Sequence, residues 1–262
     1  MSAVLTPVAG RQAIYRVNPV AKLVAALIIA AALVPSIDWV SAAVALSAEI
    51  VLFAWAGLSV RQFALRTLPV WIAAPLGGFT MLLYGDPSGQ TYIEFLAVHV
   101  TDGSITLAIA TTLRVLAIAL PAVVLFVTVD PTAFADALAQ RLRLPSRFVL
   151  GALGALRLVA LLLDDWRSLE LARRARGIAD RGRLRRFPGQ AFGLLVIAIR
   201  RGGRLATAME ARAFGAPIQR SWARPSPFGA RDLVLVLLAI AVAALAVSVS
   251  VATGAWNPIF GR

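Results

Sequence analysis

The sequence contains no cysteine, which excludes disulfides, thiolate metal sites and cysteine nucleophiles together. It has a single histidine, His99, so no imidazole cluster is available, and neither a metal nor a cofactor is expected. The single lysine, Lys22, lies in no glycine-rich loop. There is thus no P-loop to cradle phosphates, and any ATP hydrolysis must belong to a partner. The chain is not expected to be an enzyme. Charge is scarce as well: 15% of residues are charged, and the 13 acidic ones are outnumbered by 26 basic ones.

What fills the space is apolar, for 60% of the 262 residues are hydrophobic. A soluble domain of this length needs far more polar surface. Runs of the length that crosses a bilayer extend from about Val20 to Ser36, Trp39 to Leu58, Leu68 to Tyr84, Ile105 to Val129 and Leu233 to Thr253. The third is interrupted by Pro75, Gly77 and Gly78. Arg11, Arg16 and Lys22 precede the first run with no small-residue cleavage site, so that run is expected to be retained rather than removed as a signal. Basic residues flank it, and Arg61 and Arg66 follow the second span; residues 85–103 carry Asp86, Glu94 and Asp102 but no lysine or arginine. This asymmetry predicts a multi-pass plasma-membrane protein with a cytoplasmic N-terminus and an outer acidic loop.

Residues 130–231 differ in character, holding 19 of the 26 basic residues and 7 of the 13 acidic ones. The fold class that follows is all-α: about five transmembrane helices, with long cytoplasmic helices inserted before the last span. The expected organisation is a four-span bundle over 1–129, a cytoplasmic helical region over 130–231, and a last span with a short outer tail over 232–262. Within the insert, Asp130-Pro131 starts a short helix that ends near Leu144-Pro145. Ser146 is placed to cap a long helix running towards Arg176, and a third helix is expected after the basic link from Arg181 to Arg186 and Pro188.

The two long helices end alike, in Leu169 to Gly177 and Leu205 to Ala213. Glu170 stands three and four residues before Arg173 and Arg174, where it can pair with either. Arg176 and Arg212 have no acidic residue at those positions, and small residues flank both: Ala175 and Gly177, Ala211 and Ala213. Two readings compete. Each arginine can serve its own helix dipole or anionic headgroups, or it can insert a guanidinium fork into a partner's groove.

Tyr15-Arg16-Val17-Asn18-Pro19-Val20-Ala21-Lys22-Leu23, Asp130-Pro131 with Phe134 to Leu138, Leu169 to Gly177, and Met209 to Gly215 occur in that order. Together they resemble the transmembrane T component of energy-coupling factor (ECF) transporters, which import vitamins and metal ions. That family joins two cytoplasmic ATPases to a substrate-binding membrane subunit. The resemblance implies that the two long helices are coupling helices. It also implies that Ala175-Arg176-Gly177 and Ala211-Arg212-Ala213 are the tips that dock into the ATPases. Ala213 departs from the commoner glycine. The rival reading is a self-contained secondary transporter or channel, which needs ionisable residues converging inside the spans.

Within the spans Arg114 has Glu49 as a possible partner, and the Gly77-Gly78 pair is expected to permit a kink or close helix packing. His99 reads as an ordinary loop residue, and Arg181 to Arg186 suit anionic lipid. Nucleic acid is not an expected partner, because the basic residues are interleaved with apolar surface.

Overall fold

The computed structural model describes residues 13–55, 60–85, 88–95, 98–177, 182–216 and 221–258. Of the residues named above, Arg11, Leu58, Asp86 and Arg181 lie outside these segments. Among the described residues, eight α-helices and one hairpin follow in order. They are α1 (Pro19–Leu33), α2 (Trp39–Trp55), α3 (Val60–Tyr84), β1 (Thr91–Phe95), β2 (Val98–Thr101), α4 (Asp102–Val127), α5 (Pro131–Arg141), α6 (Ser146–Ala175), α7 (Arg183–Ala211) and α8 (Ala230–Ala252). They form two compact units, residues 1–130 with 227–262, and residues 131–226.

The first unit is the helical bundle. In it α1 packs on α8 and α4, α2 on α4 and α8, and α3 on α4. Small side chains let the backbones approach: Ala21, Ala25, Ala42, Ala45, Ala74, Ala110, Ala117 and Ala246 are all buried. Larger residues such as Ile29, Leu33, Leu116 and Leu120 fill the remaining core. Outward-facing Leu65, Leu68, Ile72, Leu76 and Phe79 on α3, and Leu233, Val234 and Leu237 on α8, are exposed. An apolar exterior of this kind suits lipid, where the helical backbone satisfies its own polar groups.

Helix starts follow local chemistry. The Asn18 side chain accepts from the Val20 N–H at 2.9 Å, with Pro19 in the first helical position. Asp38 accepts from the Ser41 N–H at 2.7 Å at the head of α2, and its carboxylate also holds the Ser250 hydroxyl of α8 at 2.7 Å. Thr101 and Ser104 satisfy each other's backbone N–H groups at the start of α4, as in a capping box.

Several boundaries depart from expectation. The third span is one continuous helix that runs through Pro69 and Pro75 and starts at Val60, so Arg61 and Arg66 belong to its first two turns. Gly78 is the close-packing member of the glycine pair, facing Ala108 and Thr112 of α4, whereas Gly77 faces open space. The acidic loop contains the antiparallel β1–β2 pair, in which His99 stands opposite Glu94. By length and composition four helices among the described residues can cross a membrane: Phe63–Tyr84, Asp102–Leu125, Ser146–Ala175 and Ala230–Ala252. Two of the expected spans, α1 and α2, are shorter, at 15 and 17 residues. In contrast α6, expected outside the bilayer, is one of the four, because its first half is nearly uncharged.

The expected pairing of Glu49 with Arg114 does not occur. Arg114 donates to the Val34 carbonyl instead, with the Asp38 charge acting on it. Glu49 lies elsewhere, beside a cavity of about 590 Å³ lined also by Leu52, Phe53, Pro121 and Leu125. Both of its carboxylate oxygens are buried and have no hydrogen-bond partner among the described residues. The two turns of α4 that separate Arg114 from Pro121, roughly 10 Å of rise, explain why the charges do not meet.

Candidate functional site

The second unit is built on α6 and α7, with α5 packed against α6. Ala135, Ala139, Val149, Leu153, Leu138 and Trp222 make its small core. Pro145, not Ser146, is the N-cap of α6, and it provides no side-chain hydrogen bond. The third helix of this unit, α7, begins at Arg183 rather than beyond Pro188, which falls inside its second turn. A proline there removes one hydrogen bond close to the helix start, where the cost is small.

The two long helices run antiparallel. Leu205 of α7 lies 3.5 Å from the Cβ position of Gly154, near the start of α6. Arg201 pairs with Asp165 at 2.8 Å, and Gln190 donates to the Trp166 carbonyl at 3.0 Å. Trp166 and Phe187 rings are 5.6 Å apart, and Arg173 donates to the Gly189 carbonyl at 2.6 Å. Late residues of α6 therefore meet early residues of α7. The C-terminal tips must then lie at opposite ends of the pair, separated by most of a helix length, on the order of 40 Å.

Local geometry at the two tips is the same. Arg176 terminates α6 with φ −90° and ψ 7°, and Gly177 follows at φ +68°. Arg212 terminates α7 with φ −96° and ψ 21°, and Ala213 follows at φ +53°. At the first tip the Gly177 N–H donates to the Arg174 carbonyl at 3.0 Å. At the second the Ala213 N–H donates to Glu210 at 2.9 Å and the Phe214 N–H to Met209 at 3.0 Å. That pair of bonds is a Schellman motif, which turns the chain sharply and closes the last carbonyls.

Charge separates the tip arginines from their neighbours. Arg174 is paired with Glu170 at 2.5 Å, and Arg173 is engaged by α7. Arg176 and Arg212 are exposed, and among the described residues their side chains make no hydrogen bond or ion pair. Ala175, Gly177, Ala211 and Ala213 beside them are exposed too. Each tip therefore presents an exposed guanidinium fork, flanked by small residues and without a partner among the described residues.

Sequence inspection placed these six residues but missed two features. One is the left-handed residue after each arginine; the spacing Arg176-Gly177 had suggested it at one tip only. The other is the tie from Phe214 to Met209, for which Phe214-Gly215 after the helix end was the available signal. Among the described residues, no three His, Cys, Asp or Glu side chains come together as metal ligands.

A family model described as CbiQ, cobalt transport protein, matches residues 10–222. No curated protein matches the chain.

Proposed function

The chain belongs to the CbiQ cobalt transport protein family, and from that premise we propose that it is the coupling component of an ECF-type importer. It joins two cytoplasmic ATPases to a separate membrane subunit that binds the substrate, a metal ion or a vitamin. In this reading α6 and α7 are the coupling helices, and the residues around Arg176 and Arg212 dock into one ATPase each. The N-terminus and the second unit face the cytoplasm.

One observation carries the proposal. Two tips of equal backbone geometry, each with an arginine that has no partner among the described residues, end an antiparallel pair at opposite extremes. A helix-end arginine that served only its own dipole would not need the same turn twice. Two ATPase subunits, each needing one tip, account for both the duplication and the separation. The exposed apolar side chains of α6 and α7, among them Leu156, Val159, Phe192, Leu195 and Ile199, give the membrane subunit or lipid a surface to cover. The rival reading, a self-contained transporter, loses support because Arg114 and Glu49 do not converge.

The test is co-purification of the ATPases with the chain from membranes. Arg176→Ala and Arg212→Ala each remove a solvent-facing fork, so the chain still inserts. Each change should weaken ATPase binding by about 2 kcal/mol, in the range of interface arginines, and the double variant should abolish ATP-driven uptake. ATPases retained at wild-type affinity by the double variant would sink the docking role.

A further inference from the structure

Glu49 of α2 is 2% exposed, and neither of its carboxyl oxygens accepts a hydrogen bond from any described residue. The walls around it hold no donor to offer. In the cavity that Glu49 lines, its neighbours include Ile29 of α1, Leu52 and Phe53 of α2, Leu125 of α4 and Leu238 of α8. Pro121 on the α4 side has no N–H at all. Apart from Glu49 and Arg231, every lining residue is apolar. Arg231 is exposed in the first turn of α8, where its charge is readily screened.

A buried acceptor without a donor is costly, and a charged one more so. As a space-filler, glutamate is inferior here to leucine or methionine of similar volume. The cavity itself has the character of a ligand site. Its volume of about 590 Å³ lies within the roughly 300–1,000 Å³ of small-molecule sites, which are apolar with a few fixed polar groups. It is partly open, so a molecule can enter while the bundle stays folded.

The bare oxygens specify the head of the occupant, and the walls specify its body. A hydroxyl has one O–H and serves one oxygen, whereas an ammonium has three N–H groups and serves both. The resulting pair is charge-assisted, the stronger class of hydrogen bond. An acidic head would instead meet Glu49 as a second acid.

We propose that this cavity is a binding site for an amphiphilic primary amine, whose head pairs with Glu49 while its hydrocarbon covers the apolar walls. The site lies wholly within the first unit and is independent of the coupling role proposed above. The amine can be the headgroup of phosphatidylethanolamine from the bilayer or a free long-chain amine; both carry the same three N–H donors.

The test is native mass spectrometry of the full chain released from detergent micelles and titrated with dodecylamine, dodecanol or dodecanoate. These probes share one chain length and differ in the head. The wild type should hold dodecylamine about tenfold more tightly than dodecanol, the margin of a charge-assisted over a neutral hydrogen bond, and dodecanoate least of all. Glu49→Gln keeps the side-chain shape and should remove the preference for amine over alcohol. Equal affinity of the wild type for amine and alcohol, or no saturable amine binding, overturns the proposal. An amine preference that survives in Glu49→Gln overturns it too, since another group would then be the partner. The comparison of heads in the wild type needs no variant, so it decides the matter even where Glu49→Gln misfolds. A second titration sets phosphatidylethanolamine against phosphatidylcholine, whose quaternary ammonium has no N–H. Preference for the former supports the site with the bilayer as its source, and dodecylamine binding without that preference supports it with a free amine.

Discussion

Ala213 shows how one methyl group can matter at a helix end. Among the described residues only Arg143 and Ala213 are non-glycine residues with positive φ, at 52° and 53°. An L-residue in that region costs roughly 1–2 kcal/mol from the clash of its Cβ with the carbonyl. Ala213→Gly should therefore stabilise the second tip by about 1 kcal/mol, less the entropy that glycine loses on folding. The rise should be visible in the thermal midpoint of the detergent-solubilised protein, with ATPase binding unimpaired. A lower midpoint would mean that the Cβ makes a contact that outweighs the strain.

Asp38 gives the pH dependence at the same scale. It lies in the connection between α1 and α2. Burial pushes its carboxyl upward, but hydrogen bonds from Ser250 and from the Ser41 backbone outweigh that and hold it below the usual aspartate value. A depressed folded value means that folding favours the ionised form. The contribution is fully present above the unfolded value of about 3.9 and is lost as pH falls through the folded one. The bundle should lose stability in this acid range, and Asp38→Asn should remove that part of the profile while lowering stability at neutral pH. Melts at several pH values would show it, and parallel profiles for the two proteins would contradict it.

At the scale of elements, the contact of α3 with α4 depends on Gly78. A Cβ at that position would stand 2.0 Å from the Thr112 hydroxyl oxygen and 2.8 Å from the Ala108 carbonyl oxygen, while at Gly77 it would meet nothing within 4 Å. The Thr112 hydroxyl already donates to the Ala108 carbonyl at 2.8 Å, so there is no spare volume. Gly78→Ala should cost about 1–3 kcal/mol, the usual penalty of overpacking; Gly77→Ala should be tolerated. The comparison is made on the two melting midpoints, and equal effects would refute the assignment. From sequence the adjacent glycines were indistinguishable, since only the neighbouring helix decides which one is crowded.

The α6–α7 pair makes a related point. Its endings were legible as Arg176 and Arg212 because the missing acidic partners could be counted along each helix. The cross-links were not, because Asp165 with Arg201 and Gln190 with the Trp166 carbonyl depend on antiparallel alignment. Likewise the Glu49–Arg114 pairing looked reasonable on charge alone. It failed because Arg114 donates to the Val34 carbonyl while Glu49 is buried beside a cavity.

For the whole molecule, orientation is the property most open to a direct test. The proposal places the second unit in the cytoplasm and the end of α8 outside. Thr253→Cys should react with a membrane-impermeant maleimide added to intact cells, whereas Leu171→Cys should react only after the membrane is opened. The reverse pattern would invert the assignment. A reactive Leu171→Cys in intact cells would also remove the ATPases from reach of the tips.

Composition and residue order alone determined the class of this protein. An excess of apolar residues in runs of membrane length can be stable only in lipid, and clustered arginines can only gather outside it; both follow from solvation, which acts residue by residue. Order also carried the family resemblance and the six tip residues. Tertiary structure decided what depends on alignment between distant segments. It put the two tips at opposite ends of one pair, and it brought Asp232 near the start of α8 to the backbone of Asn18 at the start of α1. Those outcomes rest on hydrogen bonds between residues as many as 214 positions apart, and no local pattern encodes a distance of that kind.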